Sequence, residues 1–289
     1  MILVADSGST KTDWLGYHSG KTISFHTQGI NPYFLNAQDI HKVLSKVQML
    51  EEFATDVKEI YFYGAGCSSP DKHEIISNGL SLFFSNAYIS VENDLIGSGY
   101  ATCGDEKGLV CILGTGSNVS YWDGSMTYDS NYGLGYILGD EGSGTFFGRK
   151  MITSYLYQQM PEDLRLEFTA QFDADKETII TNVYQKVLPN TYLASFSRFM
   201  YERRDHPFIY KVLVDGFQEF IDTNIKDFKD YKIIDCHFVG SIAFYYQDIL
   251  KYVCENNGIH VGKILQKPIE GIFNYILKKE GITINSPIS

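Results

Sequence analysis

Val4-Ala5-Asp6-Ser7-Gly8-Ser9-Thr10-Lys11-Thr12-Asp13-Trp14 is the stretch on which the reading of this chain turns. The apolar run Met1–Ala5 ends in a carboxylate, passes through a bend of small polar residues, and resumes at Thr12. Two strands joined by a tight turn give that pattern. Ser7, Gly8 and Ser9 leave room for an anion to approach backbone N–H groups. Thr10 and Lys11 add a hydroxyl and a positive charge, and Asp6 offers an oxygen ligand of the kind Mg²⁺ prefers. An ordinary polar hairpin turn uses the same residue types, so this stretch needs support from elsewhere in the chain.

Support comes a hundred residues on. Gly108–Leu113 reads as a strand, Gly114-Thr115-Gly116-Ser117-Asn118 as a turn, and Val119–Trp122 as a return strand. Two segments that each open strand, small-residue turn, strand indicate an internal duplication. Around them, strands are expected at Ile2–Ala5, Thr12–His18, Thr22–Thr27, Ile60–Tyr63 and Ala87–Val91. Helices are expected at about 36–53, 70–83 and 95–104, a mainly helical region at about 145–228, a strand at Cys236–Val239 and a helix at about 244–254. Strands alternating with helices imply crossover connections and mixed sheets. Asn93-Asp94 falls just past a strand's carboxyl end, where open α/β sheets bind ligands, although an Asp there also suits a helix cap. Gly133–Gly144 is dense in glycine and reads as a ligand-facing loop. Gly240-Ser241, between a strand and a helix, suits the nucleoside or phosphate end of a nucleotide, or a plain corner. Gly16-Tyr17-His18-Ser19-Gly20-Lys21-Thr22 imitates a P-loop but has three residues between its glycines and precedes a strand, so a hairpin explains it.

Composition narrows the function classes. The 289 residues suffice for two domains, and 44% hydrophobic content fits a packed core. A net charge of −11 argues against a general nucleic-acid or membrane-surface binder. Five cysteines, odd in number and without a C-x-x-C pair, read as reduced thiols. Cys103 and Cys111 are expected to be buried. There is no basic n-region and no apolar run near the roughly 20 residues of a membrane helix. The expectation is a soluble, cytoplasmic protein that binds neither nucleic acid nor membrane.

Taken in order, D-S-G-S-T-K-T, E-N-D, G-T-G-S-N and V-G-S-I-A resemble the actin-like ATPase superfamily of sugar kinases, Hsp70 and actin. G-T-G-S-N followed by G-x-G-x-x-x-G-D-E-G-S is similar to the N-acetylglucosamine kinase branch, within the BadF/BadG/BcrA/BcrD-type ATPase family. The resemblance implies two ribonuclease H-like domains, α/β with mixed sheets flanked by helices, and ATP and sugar in a cleft between them. The first would span 1–105, with the C-terminal helix 271–289 packed back on it. The second would span 106–270, with a helical insertion at about 150–232.

It further implies that Gly8, Ser9, Thr10, Lys11, Gly114, Thr115 and Gly116 face the β- and γ-phosphates and that Gly240 and Ser241 sit at the nucleoside and α-phosphate. Asp6 would hold Mg²⁺, and Asp94 would be the base on the sugar 6-hydroxyl. Asn31, Ser117 and Asp140 would contact the sugar, with Gly66, Asn118 and Glu141 as second contacts. Ser7 stands where many relatives carry a second glycine, which would alter phosphate contact slightly. The zinc-binding cysteine cluster that marks the other bacterial sugar-kinase branch is not in the sequence. The implied activity is ATP-dependent phosphorylation of N-acetylglucosamine, or a close amino sugar, at O6. It would proceed by closure of the domains on the sugar, in an enzyme for which a homodimer is a common state. Two other readings follow from the same family: an ATPase that activates a redox enzyme through an iron–sulfur cluster between subunits, and a sensor that binds sugar or nucleotide without catalysis.

Overall fold

The computed structural model describes residues 1–129 and 133–282. The chain divides into two compact units. Unit 1 comprises Met1–Glu106, Gly124–Met126 and the segment from Lys267 onward; unit 2 comprises Lys107–Asp123 and Thr127–Gln266.

Unit 1 opens with β1 (Ile2–Ser7), β2 (Lys11–His18) and β3 (Lys21–Gln28), an antiparallel meander. Helix α1 (Ala37–Ser45) starts at Asn36, whose Oδ1 accepts the Asp39 N–H at 3.0 Å. The helix expected over 36–53 stops early. Val47 takes an extended conformation, and Gln48–Leu50 form a separate 3₁₀ turn that still buries Leu50. The apolar spacing therefore runs across a break in the helix. β4 (Glu59–Gly64), α2 (Pro70–Ser81), β5 (Tyr88–Asn93) and α3 (Asp94–Thr102) follow, with Pro70 at the first turn of α2, where its missing N–H costs nothing. The strand order is β3-β2-β1-β4-β5, with β4 and β5 parallel to β1.

Unit 2 repeats this plan. β6 (Gly108–Leu113), β7 (Ser117–Trp122) and β8 (Thr127–Asp129) form the meander, so Ser117 and Asn118 lie in a strand rather than in the turn. After α4 (Gly135–Leu138) comes a helical region made of α5 (Gly144–Leu156), α6 (Glu162–Gln171), α7 (Lys176–Tyr184), α8 (Pro189–Ser195), α9 (Ser197–Glu202) and α10 (Pro207–Phe220), which runs into a π-helical turn at Ile221–Ile225. β9 (Cys236–Val239) and β10 (Val261–Leu265) complete the order β10-β9-β6-β7-β8. Read from the meander outward, both sheets carry three antiparallel strands followed by two parallel ones, the architecture the duplicated motif implies. The helix expected at 244–254 is two pieces, α11 (Ser241–Tyr245) and α12 (Gln247–Asn256), interrupted at Tyr246. Tyr246 is buried and donates its hydroxyl to Ser197 O at 2.6 Å.

The chain returns to unit 1 at Lys267 and ends its described part in α13 (Ile269–Lys279). Ile269, Ile272, Phe273, Ile276 and Leu277 recur at helical spacing and bury against Val4, Leu15 and Tyr63. Each such side chain contributes about 1.5–3 kcal/mol. The helix expected over 271–289 thus begins two residues earlier and closes at Lys279, where Glu280 adopts a non-helical backbone; residues 283–289 lie outside the described residues. No helix among the described residues is long and apolar enough to cross a membrane.

Candidate active site

In unit 1, β1, β4 and β5 end level. The register sets Ser7 beside Gly64 and Gly64 beside Asn93, so Gly8, Ala65 and Asp94 leave the sheet side by side. The Ala65 N–H donates to Ser7 O at 2.8 Å and ties two of these ends together. Asp6, one residue before the end of β1, is part-buried, and its carboxyl is pushed up to about 7. Desolvation is the main cause, and the Asp94 and Asp13 carboxylates add to it. Asp6 and Asp94, far apart in sequence, are therefore electrostatic neighbours.

Asp94 is the first residue of α3, but it does not cap it. Asn93 Oδ1 accepts the Leu95 N–H at 2.8 Å and performs that task. The capping alternative for Asp94 thereby falls away.

The turn after β1 is closed by its own backbone. Gly8 N–H donates to Lys11 O at 3.0 Å, so its amide shapes the turn. Ser7 points inward. Its hydroxyl lies 2.6 Å from Thr12 Oγ1, donates to Ile30 O and accepts from Ile30 N–H, both at 3.0 Å. These bonds pin Ile30 to the turn. Lys11 Nζ is held by Asp13 at 2.8 Å, and the same carboxylate takes Lys267 Nζ at 3.0 Å. Burial pushes Asp13 up, but the bonds from Lys11 and Lys267 outweigh it and hold the carboxyl below its ordinary value.

Asn31 is buried beside this turn. Its Oδ1 accepts the Tyr33 N–H at 2.9 Å, and its Nδ2 donates to Ser9 Oγ at 3.4 Å. Gly66, at φ +82°, sits against it, and a Cβ there would lie 2.9 Å from Asn31 Oδ1. Gly66 makes room for the Asn31 side chain.

In unit 2, Ile112 of β6 pairs with Val239, the last residue of β9, so β6 runs one residue further and Gly240 leaves the sheet beside Leu113, next to the Gly114 turn. Only glycine fits at 240. Its φ is +121°, and a Cβ would lie 2.4 Å from Leu113 O. Ser241 next to it is exposed. Gly114 N–H closes its own turn on Gly116 O at 3.0 Å, while Gly144 and Thr145 N–H donate to Gly114 O and Thr115 O at 2.8 and 3.0 Å. The start of α5 is thus spent on bracing the second turn.

Asp140 adopts a left-handed backbone at φ +57°, and its Oδ1 accepts the Ser117 N–H at 3.2 Å. Its carboxyl is pushed up to about 6, chiefly by burial; Glu141 adds to this, and the Ser117 N–H and Arg149 oppose it. Glu141 itself is engaged by buried Asn224 at 3.2 Å. Asn118 Oδ1 accepts its own chain's Val119 N–H at 2.9 Å.

The structure adds residues that the sequence reading missed. Asp13 carried one available signal, since residues i and i+2 of a strand share a face and so bring it to Lys11. Lys267 and Asn224 carried none. Among the cysteines, Cys111 is buried as expected, but Cys103 is only half-buried, because the last turn of α3 leaves its sulfur at the edge of the packing.

Comparison with known proteins places this geometry. No protein-family model and no curated protein matches the chain. Among solved structures, one named "putative N-acetylglucosamine kinase" from Porphyromonas gingivalis is 38% identical, with a TM-score of 0.90 over 97% of this chain and 100% of its own. A second "putative N-acetylglucosamine kinase", from Chromobacterium violaceum, is 14% identical with a TM-score of 0.70 over 95% and 98%. A ROK-family glucokinase from Streptomyces griseus, solved with glucose and AMPPNP, is 13% identical with a TM-score of 0.59 over 94% and 97%. The latter two show the fold alone. The first shows more: with its paired five-stranded sheets, the chain belongs to the sugar-kinase family of the Porphyromonas gingivalis protein, built on the actin-like ATPase fold.

Proposed function

We propose that this protein transfers the γ-phosphoryl group of ATP to O6 of N-acetylglucosamine or a close amino sugar. It would do so as a member of the BadF/BadG/BcrA/BcrD-type branch of the actin-like ATPases. The observation that carries the reading is the level row Ser7–Gly64–Asn93, which brings Asp6 of the first phosphate turn next to Asp94. The 38% identity to a protein named for this activity supports it.

Asp94 accepts the proton of the acceptor hydroxyl as its oxygen bonds to phosphorus and the bond from phosphorus to the ADP oxygen breaks. Phosphoryl transfer needs positioning and charge stabilisation above all. Ser9, Thr10, Lys11, Thr115 and Gly116 hold the phosphates, while Gly8 and Gly114 shape the turns that present them. Gly240 and Ser241 lie against the nucleoside. The Asn31 amide, Ser117, Asn118 and Asp140 orient the sugar, with Glu141 braced by Asn224 behind them.

Mg²⁺ fits this donor set. Asp6 is a hard oxygen ligand whose ionised form is disfavoured by burial and by two neighbouring carboxylates, a repulsion that a divalent cation relieves. Magnesium is commonly bound through one carboxylate, waters and substrate phosphates, and it would neutralise charge on the transferring group. Five cysteines outside any disulfide suit a cytoplasmic enzyme.

The test is a coupled ADP-release assay across free hexoses and amino sugars. N-acetylglucosamine is expected to accelerate ADP release and to yield a product phosphorylated at O6, identified by phosphorus–proton NMR. Sugar binding without ADP release would instead favour the sensor reading.

A further inference from the structure

Asp13 is a carboxylate with two cations. It lies on β2 opposite Asp6 on β1. Lys11 Nζ sits 2.8 Å from its Oδ1, and Lys267 Nζ sits 3.0 Å from Oδ2 and 3.2 Å from Oδ1. Lys11 belongs to the first phosphate turn. Lys267 arrives from the far end of the chain as the first residue of the segment that returns to unit 1. All three groups lie within unit 1.

An ammonium group already bonded to a carboxylate has a conflict when a phosphate arrives. If Lys11 were the only partner of Asp13, its move to phosphate would leave a part-buried carboxylate uncompensated, next to Asp6 and the incoming anion. An uncompensated charge in such a place is costly. Lys267 removes the conflict, because it spans both oxygens of Asp13 and remains when Lys11 leaves.

We propose that Lys267 is a positioning residue for nucleotide binding, a standing counter-ion for Asp13 that frees Lys11 to contact the phosphates. This rests on the kinase reading above for the role of Lys11. A plain tether for the return segment would use the same ion pair, and the two roles differ in what happens when Asp13 is neutralised. With Lys267 removed, Asp13 retains Lys11. With both removed, nothing retains it.

The experiment compares wild type, Lys267→Met, Lys267→Arg, Asp13→Asn and the double variant Lys267→Met/Asp13→Asn in the full chain. Calorimetric titration with MgADP, steady-state KM for ATP and thermal unfolding are measured for each. Lys267→Met is expected to weaken MgADP binding and raise KM for ATP by about two- to fivefold, the scale of one part-exposed ion pair, with kcat within about twofold. Lys267→Arg restores both, and the double variant binds MgADP more tightly than Lys267→Met. Unchanged MgADP binding in Lys267→Met overturns the proposal. So does a double variant that binds no better than Lys267→Met, the result a tether or a direct Lys267–phosphate contact gives. Should Lys267→Met unfold, the Arg and Asn variants still decide, since Asp13→Asn must not weaken MgADP binding. A wild type that binds MgADP but phosphorylates no sugar rejects the kinase reading, and the calorimetric series still judges Lys267. A wild type that does not bind MgADP rejects both.

Discussion

Asn93 and Asp94 divide two duties at the end of β5. Asn93 Oδ1 takes the Leu95 N–H at 2.8 Å and caps α3, and Asp94 follows it just past the sheet end, where its carboxylate acts electrostatically on Asp6. The two side chains can be separated by mutation.

Asp94→Asn should lower turnover by roughly 10²–10⁴ while shifting stability by no more than about 0.5 kcal/mol. Asn93→Ala should do the reverse, losing about 1 kcal/mol of stability with its cap. Steady-state kinetics and urea unfolding on both variants check this. Near-normal turnover in Asp94→Asn would falsify the base assignment.

Asp140 offers a pH signature. Its carboxyl in the folded protein is raised to about 6 by burial, against an ordinary value near 3.9 in the unfolded chain. The folded state therefore binds the proton more tightly. The stability this confers is complete below the unfolded value and is lost as pH rises through about 6. Asp140→Asn, which cannot ionise and tolerates the left-handed backbone, should be more stable than wild type above pH 6, by of order 1–3 kcal/mol, and should lose that advantage toward pH 4. Thermal melts across that range are the measurement. Activity should fall in the same variant, since a stabilising change at a ligand contact commonly costs function.

Ser7→Ala should act on folding. It strips a buried hydroxyl from Thr12 and removes the Ser7 donor to Ile30 C=O, leaving the Ile30 N–H only its longer bond to Thr12 Oγ1 at 3.2 Å, a loss of about 1–3 kcal/mol. Chemical denaturation would show it, and a KM for ATP that moved far more than stability would contradict the inward role described for Ser7.

Gly240→Ala should be poorly tolerated. The new methyl meets Leu113 O at 2.4 Å and Gly114 N at 3.1 Å, on a backbone at φ +121°. A loss of at least about 2 kcal/mol is expected, with weaker nucleotide binding because the second turn is displaced. Nucleotide titration of the folded fraction tests this directly.

Much of this protein was legible along the chain, where the signals are local. Apolar runs and small-residue bends mark the meanders at Ile2–Gln28 and Gly108–Asp129, and their repetition implies matched sheets because each pattern reports only on neighbouring residues. Residue type and place along the chain put Asp6 and Asp94 among the candidates, and the family resemblance added Asp140. Tertiary structure decided the rest. Strand register set Asp94 beside Ala65 and Gly8, within electrostatic reach of Asp6, and left capping to Asn93. The turn backbones spent the Gly8 and Gly114 amides on themselves. Lys267 reached Asp13 across 254 positions, and Asn224 reached Glu141 across 83. Such pairings depend on where separate elements come to rest, a sum over the whole packed unit, and no local pattern of residue types encodes it.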